Sequence, residues 1–209
     1  ADTQCGNFSV ALLDASGEAS VPSLAVTALG VAYVAYRLNS VLRIYACANE
    51  RCTTGAIRNV SRVLMSPSSG VSLVASNWTV SVAYTQVTNT TTLAQLMLYV
   101  CSDLSCTNGS SRALDFALDG FEPALSLDDH QHLVALAYAS NDSVSLAKWK
   151  FYQCADVYCS GGWSVVLDMV DTTTQRARMA LLAYTSAGRP LIAYGGRKLY
   201  HCATRDCLG

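Results

Sequence analysis

Apolar and polar residues alternate along this chain in short runs, and no segment sustains a helical period with caps at both ends. Pro22-Ser23-Leu24-Ala25-Val26 and Ala32-Tyr33-Val34-Ala35-Tyr36 flank Gly30, and Leu42–Cys47 and Ile57–Leu64 follow. Val, Ile, Leu and Tyr dominate these runs and suit a pleated, half-buried surface, while the Gly, Asn, Ser and Thr between them supply turns. The pattern predicts an all-β chain. Pro22 and Pro123 fall at the front of the first strand of their units, where no inner ladder bond is lost.

The same pattern recurs four times. Tyr45-Ala46-Cys47 to Cys52, Tyr99-Val100-Cys101 to Cys106, Tyr152-Gln153-Cys154 to Cys159 and Tyr200-His201-Cys202 to Cys207 share the form Tyr-x-Cys-x4-Cys. Their first cysteines lie 54, 53 and 48 residues apart. Upstream of each stands an Ala-Tyr pair, ending at Tyr36, Tyr84, Tyr138 and Tyr194. Two markers in one phase define a repeat of about fifty residues. Four short antiparallel strands per repeat predict a four-bladed β-propeller in a single domain, 1–209. Its repeats span approximately 20–66, 70–119, 121–171 and 176–209, with a further strand at 8–13. A β-sandwich pair or an open β-solenoid is the alternative, and the fourfold phase speaks against a sandwich.

Ala1-Asp2-Thr3-Gln4-Cys5-Gly6 matches Ala155-Asp156-Val157-Tyr158-Cys159-Ser160, so Cys5 takes the second-cysteine position of a unit. Phe8–Leu13 then reads as a fourth strand without its first three, and the last unit stops before its own fourth. The N-terminal strand would complete the last blade of its own chain or of a neighbouring copy. Alternatively, these residues are the ordered part of a longer repeating chain.

The chain has 209 residues, 51% hydrophobic and 14% charged, with a net charge of −1. Average usage is about 25% charged. This balance is the reverse of a disordered chain and offers no basic footprint for nucleic acid. The longest apolar stretch, Leu24 to Tyr36, contains Thr27 and Gly30 and falls short of the ~20 residues that span a bilayer. Nine cysteines accompany six N-x-Ser/Thr sequons, at Asn7, Asn59, Asn77, Asn89, Asn108 and Asn141. Together they predict a secreted glycoprotein whose glycans keep a weakly charged surface soluble.

Eight cysteines pair within the four C-x4-C turns: Cys47 with Cys52, Cys101 with Cys106, Cys154 with Cys159 and Cys202 with Cys207. Cys5 is left over, which suggests an intermolecular bridge. Zinc is the rival reading, but a propeller separates these turns around a ring and histidine is scarce. No metal or cofactor is expected.

Asp128-Asp129-His130-Gln131-His132 is the one cluster that resembles a metal or acid–base site, although it aligns with a turn where Asp is routine. The sequence contains no G-x-S-x-G, no Gly-rich phosphate loop and no H-E-x-x-H, and it points to no particular carboxylate pair. Tyr36, Tyr84, Tyr138 and Tyr194 read as core between blades. Trp78, Trp149 and Trp163 are the candidate stacking platforms of a glycan-binding site.

Pro22-Ser23-Leu24-Ala25, Gly30, Ala35-Tyr36 and Cys47 resemble the blade pattern of secreted β-propeller repeat proteins, and the resemblance covers almost the whole chain. Such propellers serve as lectins, adhesins, scaffolds and sometimes hydrolases or lyases. Lacking a catalytic motif, the sequence favours a non-enzymatic structural module. Copies of such a module would assemble with one another, and strand exchange head to tail would build a filament. The alternatives are a lectin-like propeller and, third, a propeller hydrolase or lyase using the Asp128–His132 turn. The expected partners are other copies of the chain and glycans.

Overall fold

The computed structural model describes residues 12–17, 19–62, 70–87, 93–118, 122–128, 134–141, 146–171, 180–195 and 198–208. All regular structure among them is β. The first sheet contains β1 (Ala19–Val26), β2 (Ala32–Leu38), β3 (Val41–Cys47) and β4 (Gly55–Arg62). The second contains β5 (Val71–Ala75), β6 (Val80–Val87), β7 (Ala94–Cys101) and β8 (Gly109–Ala117). The third contains β9 (Ala124–Leu127), β10 (Val134–Asn141), β11 (Leu146–Cys154) and β12 (Gly162–Asp171). The fourth contains β13 (Ala180–Tyr184), β14 (Pro190–Tyr194) and β15 (Lys198–His201).

Each sheet is an antiparallel meander, as short turns between consecutive strands require. The first strands lie side by side, β1 against β5, β5 against β9 and β9 against β13. Sheets radiating from a line of inner strands form a β-propeller. Phe8, Cys5 and most of the expected 8–13 strand lie outside the described residues, so the fourth sheet shows three strands among them.

Period-2 alternation gives every sheet two apolar faces, and consecutive sheets bury them against each other. Tyr33, Ala35 and Ile44 of the first sheet meet Leu73, Val82 and Tyr84 of the second. Ala83 and Leu98 then meet Leu125, Leu136 and Tyr138, and Ala137 and Phe151 meet Ile192 and Tyr194. The four tyrosines that follow alanine are all buried. Pro22 lies inside β1 rather than at its front. The ladder skips from Ser20 to Ser23, so the missing N–H falls at a bulge and costs no bond.

The turn between third and fourth strands is the most regular part of the repeat. Its disulfides are the four expected pairs, with Cα atoms 4.8, 5.0, 4.8 and 4.9 Å apart. Each closes a short loop, worth about 2 kcal/mol on chain-entropy arguments. Cys52, Cys106, Cys159 and Cys207 all adopt left-handed backbone. Asp103 accepts the Thr107 N–H and hydroxyl, and Asp156 likewise binds Ser160. Just beyond, the rings of Tyr45, Tyr99 and Tyr152 lie on Gly55, Gly109 and Gly162, where a Cβ would overlap ring and backbone.

An acid–base clasp joins neighbouring sheets. Asp115 of β8 pairs with Lys150 of β11, and Asp168 of β12 with Lys198 of β15, each at 2.7 Å. The Tyr194 hydroxyl also donates to Asp168, at 3.1 Å. Asp14 binds Arg43 of β3 at 2.7 Å and the Tyr36 hydroxyl at 2.8 Å in the same manner. Ser61 and Met97 stand at the matching positions of the first junction, where the bulges align the strands alike.

The Lys198 ammonium holds the Asp168 carboxyl below its ordinary range, and the Ser16 hydroxyl and N–H do most to lower Asp14. Hydroxyl and backbone donors do the same for Asp103 and Asp156. A carboxylate with a depressed folded pKa contributes stability that is complete above the unfolded value, about 3.9, and is lost as pH falls through the folded one. The melting temperature should therefore hold from pH 6 to about pH 4 and drop below that. Asp168→Asn should drop less, and an acid-independent melting curve would refute the account. Gly109→Ala should cost about 1–3 kcal/mol in urea unfolding, because the Tyr99 ring must move; an unchanged midpoint would show that it need not.

Candidate functional site

Because the strands alternate in direction, the turn after each first strand and the disulfide turn lie at the same end of a sheet. At that end the repeat places small or apolar residues. Ala46 and Val100 precede the first cysteine, Ala56 and Ser110 follow the glycine, and Val26, Ala75 and Leu127 end the first strand. Thr27, Ser76 and Thr185 open the turn that follows. Their hydroxyls accept backbone N–H groups of Val31, Thr79 and Arg189 at 3.2, 3.0 and 3.2 Å.

Between the third and fourth sheets this pattern is replaced position by position. Gln153 stands where Ala46 and Val100 do, Trp163 where Ala56 and Ser110 do, and Tyr184 where Val26, Ala75 and Leu127 do. Asp128 takes the place of the stapling hydroxyl. With Gly188, Arg205 and Asp206 these residues line a hollow of about 170 Å³. Asp128 also borders a wider depression of about 520 Å³ along the ends of β1, β5 and β9, so the two spaces adjoin.

The hollow has a polar floor. Gln153 is buried; its amide N–H donates to the Val134 carbonyl at 3.4 Å and its oxygen accepts the Tyr184 hydroxyl at 2.9 Å. The Trp163 indole N–H is buried without a hydrogen-bond partner among the described residues. A buried donor left unpaired costs about 1–3 kcal/mol, so one beside a hollow is suited to an oxygen-rich ligand.

The two carboxylates come from unlike settings. Asp103 and Asp156 sit three residues before their cysteine and staple the turn, whereas Thr204 holds that place in the fourth sheet. Asp206 sits one residue before Cys207, where the other turns have Arg51, Ser105 and Tyr158. The Thr204 hydroxyl, with the Leu208 N–H at 3.2 Å, lowers its pKa. Asp206 is therefore an ionised carboxylate on the rim of the hollow.

Other residues singled out from the sequence fall elsewhere. Trp149 is 1% exposed and packs on Tyr194 with ring centroids 5.0 Å apart, so it cannot be a surface platform. It replaces Leu42 and Leu96 in the core register, which explains its burial. Trp78 is exposed on its turn and does not line the hollow. Of the Asp128–His132 cluster, Asp128 is described while Asp129, His130, Gln131 and His132 lie outside the described residues. Asn59, Asn77 and Asn108 are exposed, and Asn59 accepts a bond from Arg43 at 3.1 Å. Asn7 and Asn89 lie outside the described residues, as does the Asn141 side chain. No group of three potential metal ligands occurs among the described residues.

No family model and no curated protein matches this chain. Solved structures do. An α-L-arabinanase from Penicillium chrysogenum, complexed with arabinobiose, has a TM-score of 0.61 at 12% identity, covering 90% of this chain and 63% of its own. An endo-arabinase from Bacteroides thetaiotaomicron has a TM-score of 0.55 at 8% identity, covering 88% of this chain and 70% of its own. An α-L-arabinofuranosidase from Fusarium graminearum, complexed with an iminosugar inhibitor, gives 0.58 at 10% identity, covering 88% and 60%. The chain thus spans about two thirds of the length of these proteins, and at such identities the likeness is one of fold.

These neighbours overturn the expectation of a non-enzymatic structural, filament-forming or lectin-like module. That expectation rested on the absence of a linear motif. In a propeller the reacting groups converge from different sheets, so a linear motif is not required. Tyr184→Phe should cost about 1 kcal/mol of folding stability by removing the donor to buried Gln153. A urea midpoint equal to that of the parent would show that this bond does not hold the floor of the hollow.

Proposed function

We propose that this protein is a glycoside hydrolase acting on arabinose-containing or similar saccharides at the hollow between its third and fourth sheets. The observation that carries the reading is the local break in the repeat. Gln153, Trp163, Tyr184 and Asp128 replace small, apolar or turn-stapling residues at one junction, and Asp206, standing where the other turns have Arg51, Ser105 and Tyr158, converges with them there. The fold likeness to an arabinanase and an arabinofuranosidase supports the class of substrate.

Hydrolysis of a glycosidic bond needs two carboxyl groups, one to protonate the leaving oxygen and one to activate water or attack the sugar. Asp206, held ionised by the Thr204 hydroxyl and the Leu208 N–H, suits the base or nucleophile. Asp128, on the inner strand's end and shared with the wider depression, is the proton donor. The indole face of Trp163 would stack on a sugar ring while its N–H and Arg205 offer donors to hydroxyls, and the Tyr184 oxygen, whose O–H is given to Gln153, can accept one. The adjoining depression gives a saccharide chain room to continue.

Export of the protein belongs to the same proposal. Four disulfides support it, together with sequons on the exposed residues Asn59, Asn77 and Asn108.

The test is turnover of linear arabinan and of 4-nitrophenyl α-L-arabinofuranoside by the parent, Asp128→Asn and Asp206→Asn. Each variant should lose about 10²–10⁴ in kcat/KM while melting close to the parent. Because the base must be ionised, the acid limb of the parent's profile should lie below the ordinary aspartate value. Activity untouched by either substitution would move the site elsewhere, and no turnover by the parent would end the hydrolase reading.

A further inference from the structure

Most of the described aromatic residues are buried, and three are exposed: Trp78, Phe116 and Tyr158. Phe116 lies at the far end of β8. Trp78 and Tyr158 stand at the same end as the hollow, one on the turn after β5 and the other on the disulfide turn after β11. They are 69% and 62% exposed.

Both depart from the repeat. Trp78 follows Ser76 by two residues, where the first and fourth sheets have Leu29 after Thr27 and Ala187 after Thr185. Tyr158 precedes Cys159, where the other turns have Arg51, Ser105 and Asp206. Both stand on braced backbone. The Ser76 hydroxyl accepts the Trp78 N–H at 3.0 Å, and the Asp156 carboxylate accepts the Tyr158 N–H at 2.9 Å. Arg112 of β8 donates to the Cys159 carbonyl at 3.0 Å, which fixes the Tyr158 turn against the second sheet. A large aromatic side chain on a rigid turn supplies contact area at little entropic cost.

The repeat relates these two residues to the hollow. Asp128 and Asp206 line the hollow between the third and fourth sheets. One junction back, the same two positions are Ser76 and Tyr158. The junction of the second and third sheets therefore has a hydroxyl and a phenol where the hollow has its carboxylates, with Trp78 two residues further on. At those positions it has no acid–base pair with which to cleave a sugar. The wider depression connects the two places. Asp128 borders both it and the hollow, and Ala75, next to Ser76, lines it as well.

We infer that Trp78 and Tyr158 bind the part of a saccharide chain that runs from the hollow across the depression, and so favour long substrates over short ones. The inference rests on the hydrolase reading. The apolar C–H face of a sugar ring covers an indole or phenol ring, while the sugar hydroxyls stay in water. No bond breaks there, so the contact is equal in ground and transition states. It lowers KM for a chain and leaves kcat alone. A substrate with a single sugar gains nothing from it.

The test compares the parent with Trp78→Ala, Tyr158→Ala and the double variant on linear arabinan and on 4-nitrophenyl α-L-arabinofuranoside. Protein freed of N-glycans is used throughout, because a glycan on Asn77 would lie beside Trp78. KM for arabinan should rise about threefold in each single variant and about tenfold in the double, with kcat unchanged. The kcat/KM for the aryl glycoside should stay within about twofold of the parent, and all four proteins should melt together. Retardation in gels containing linear arabinan, measured with Asp206→Asn added to each protein so that the polymer is not consumed, should weaken by the same factors. An unchanged KM for arabinan in the double variant would overturn the inference and leave the hydrolase reading standing. So would an equal loss on the aryl glycoside, which would mean that the hollow itself had been disturbed. Retardation lost in the double variant, from a parent that turns over neither substrate, would uphold the binding role and end the hydrolase reading. A parent that neither turns over nor is retarded would end both.

Discussion

The structure depends on one constraint: a β-sheet of this composition is apolar on both faces, and only another such sheet can cover each of them. A chain with 14% charged residues has little with which to solvate a bare face. Fully burying one Leu, Ile or Phe side chain is worth about 1.5–3 kcal/mol, and Ile44, Leu98, Leu136, Phe151 and Ile192 are all fully buried between sheets. That gain requires sheets to be stacked in series, which is why the repeat, the inner line of first strands and the tyrosine row all keep one phase. The disulfide turns and aspartate clasps are secondary. They fix the ends of each sheet and its sideways register against the next, at positions where apolar packing has run out.

Stacking in series also decides where chemistry can be placed. The row positions at mid-sheet cannot change without leaving a cavity or an unpaired polar group between two sheets. At the ends of the strands the constraint relaxes, because turns are solvated and their staples are interchangeable. Thr27, Ser76 and Thr185 perform the same task with different hydroxyls. The hollow between the third and fourth sheets occurs at that relaxed end. Its deepest polar group, Gln153, is buried and bound by Tyr184 and Val134, consistent with the cost of leaving such a group unpaired.

Much of this was legible in the sequence. The Ala-Tyr and Cys-x4-Cys markers sit at fixed points of a period-2 pattern, so they report strand order, register and disulfide pairing together. Pro22 was misplaced because a bulge, which shifts register by a residue or two, has no signature of its own in a single sequence. Aromatic size alone suggests Trp149 as a platform, whereas its column does not. Beside Leu42 and Leu96 it is a core residue enlarged. Asp128 was noticed for its histidine neighbours, whereas its significance is that the other three turns have a hydroxyl there. Asp206 has no signal of its own in a single repeat, because each disulfide turn carries a polar residue near the cysteine and only the column comparison shows that it stands two residues from the staple position. Comparing the repeats column by column would have marked both aspartates, Gln153, Trp163 and Tyr184 as departures.

The departures carry an energetic argument as well as a positional one. A repeat protein is free to use its best residue in every unit, and here the first two sheets agree on small or apolar groups around the corresponding turn. Replacing them at one junction by an unpaired indole N–H, a buried amide and two carboxylates lowers stability there unless something else offsets it. The disulfides Cys154–Cys159 and Cys202–Cys207 hold both turns that frame the hollow, as the same bridge holds the turns of the other sheets, so they fix its walls without being an offset particular to it. The cost is of the kind that a bound, oxygen-rich ligand removes, since it satisfies the indole donor and engages the carboxylates together. That local cost, set against a repeat that elsewhere keeps small or apolar groups at these positions, is what the proposed saccharide site would carry when empty.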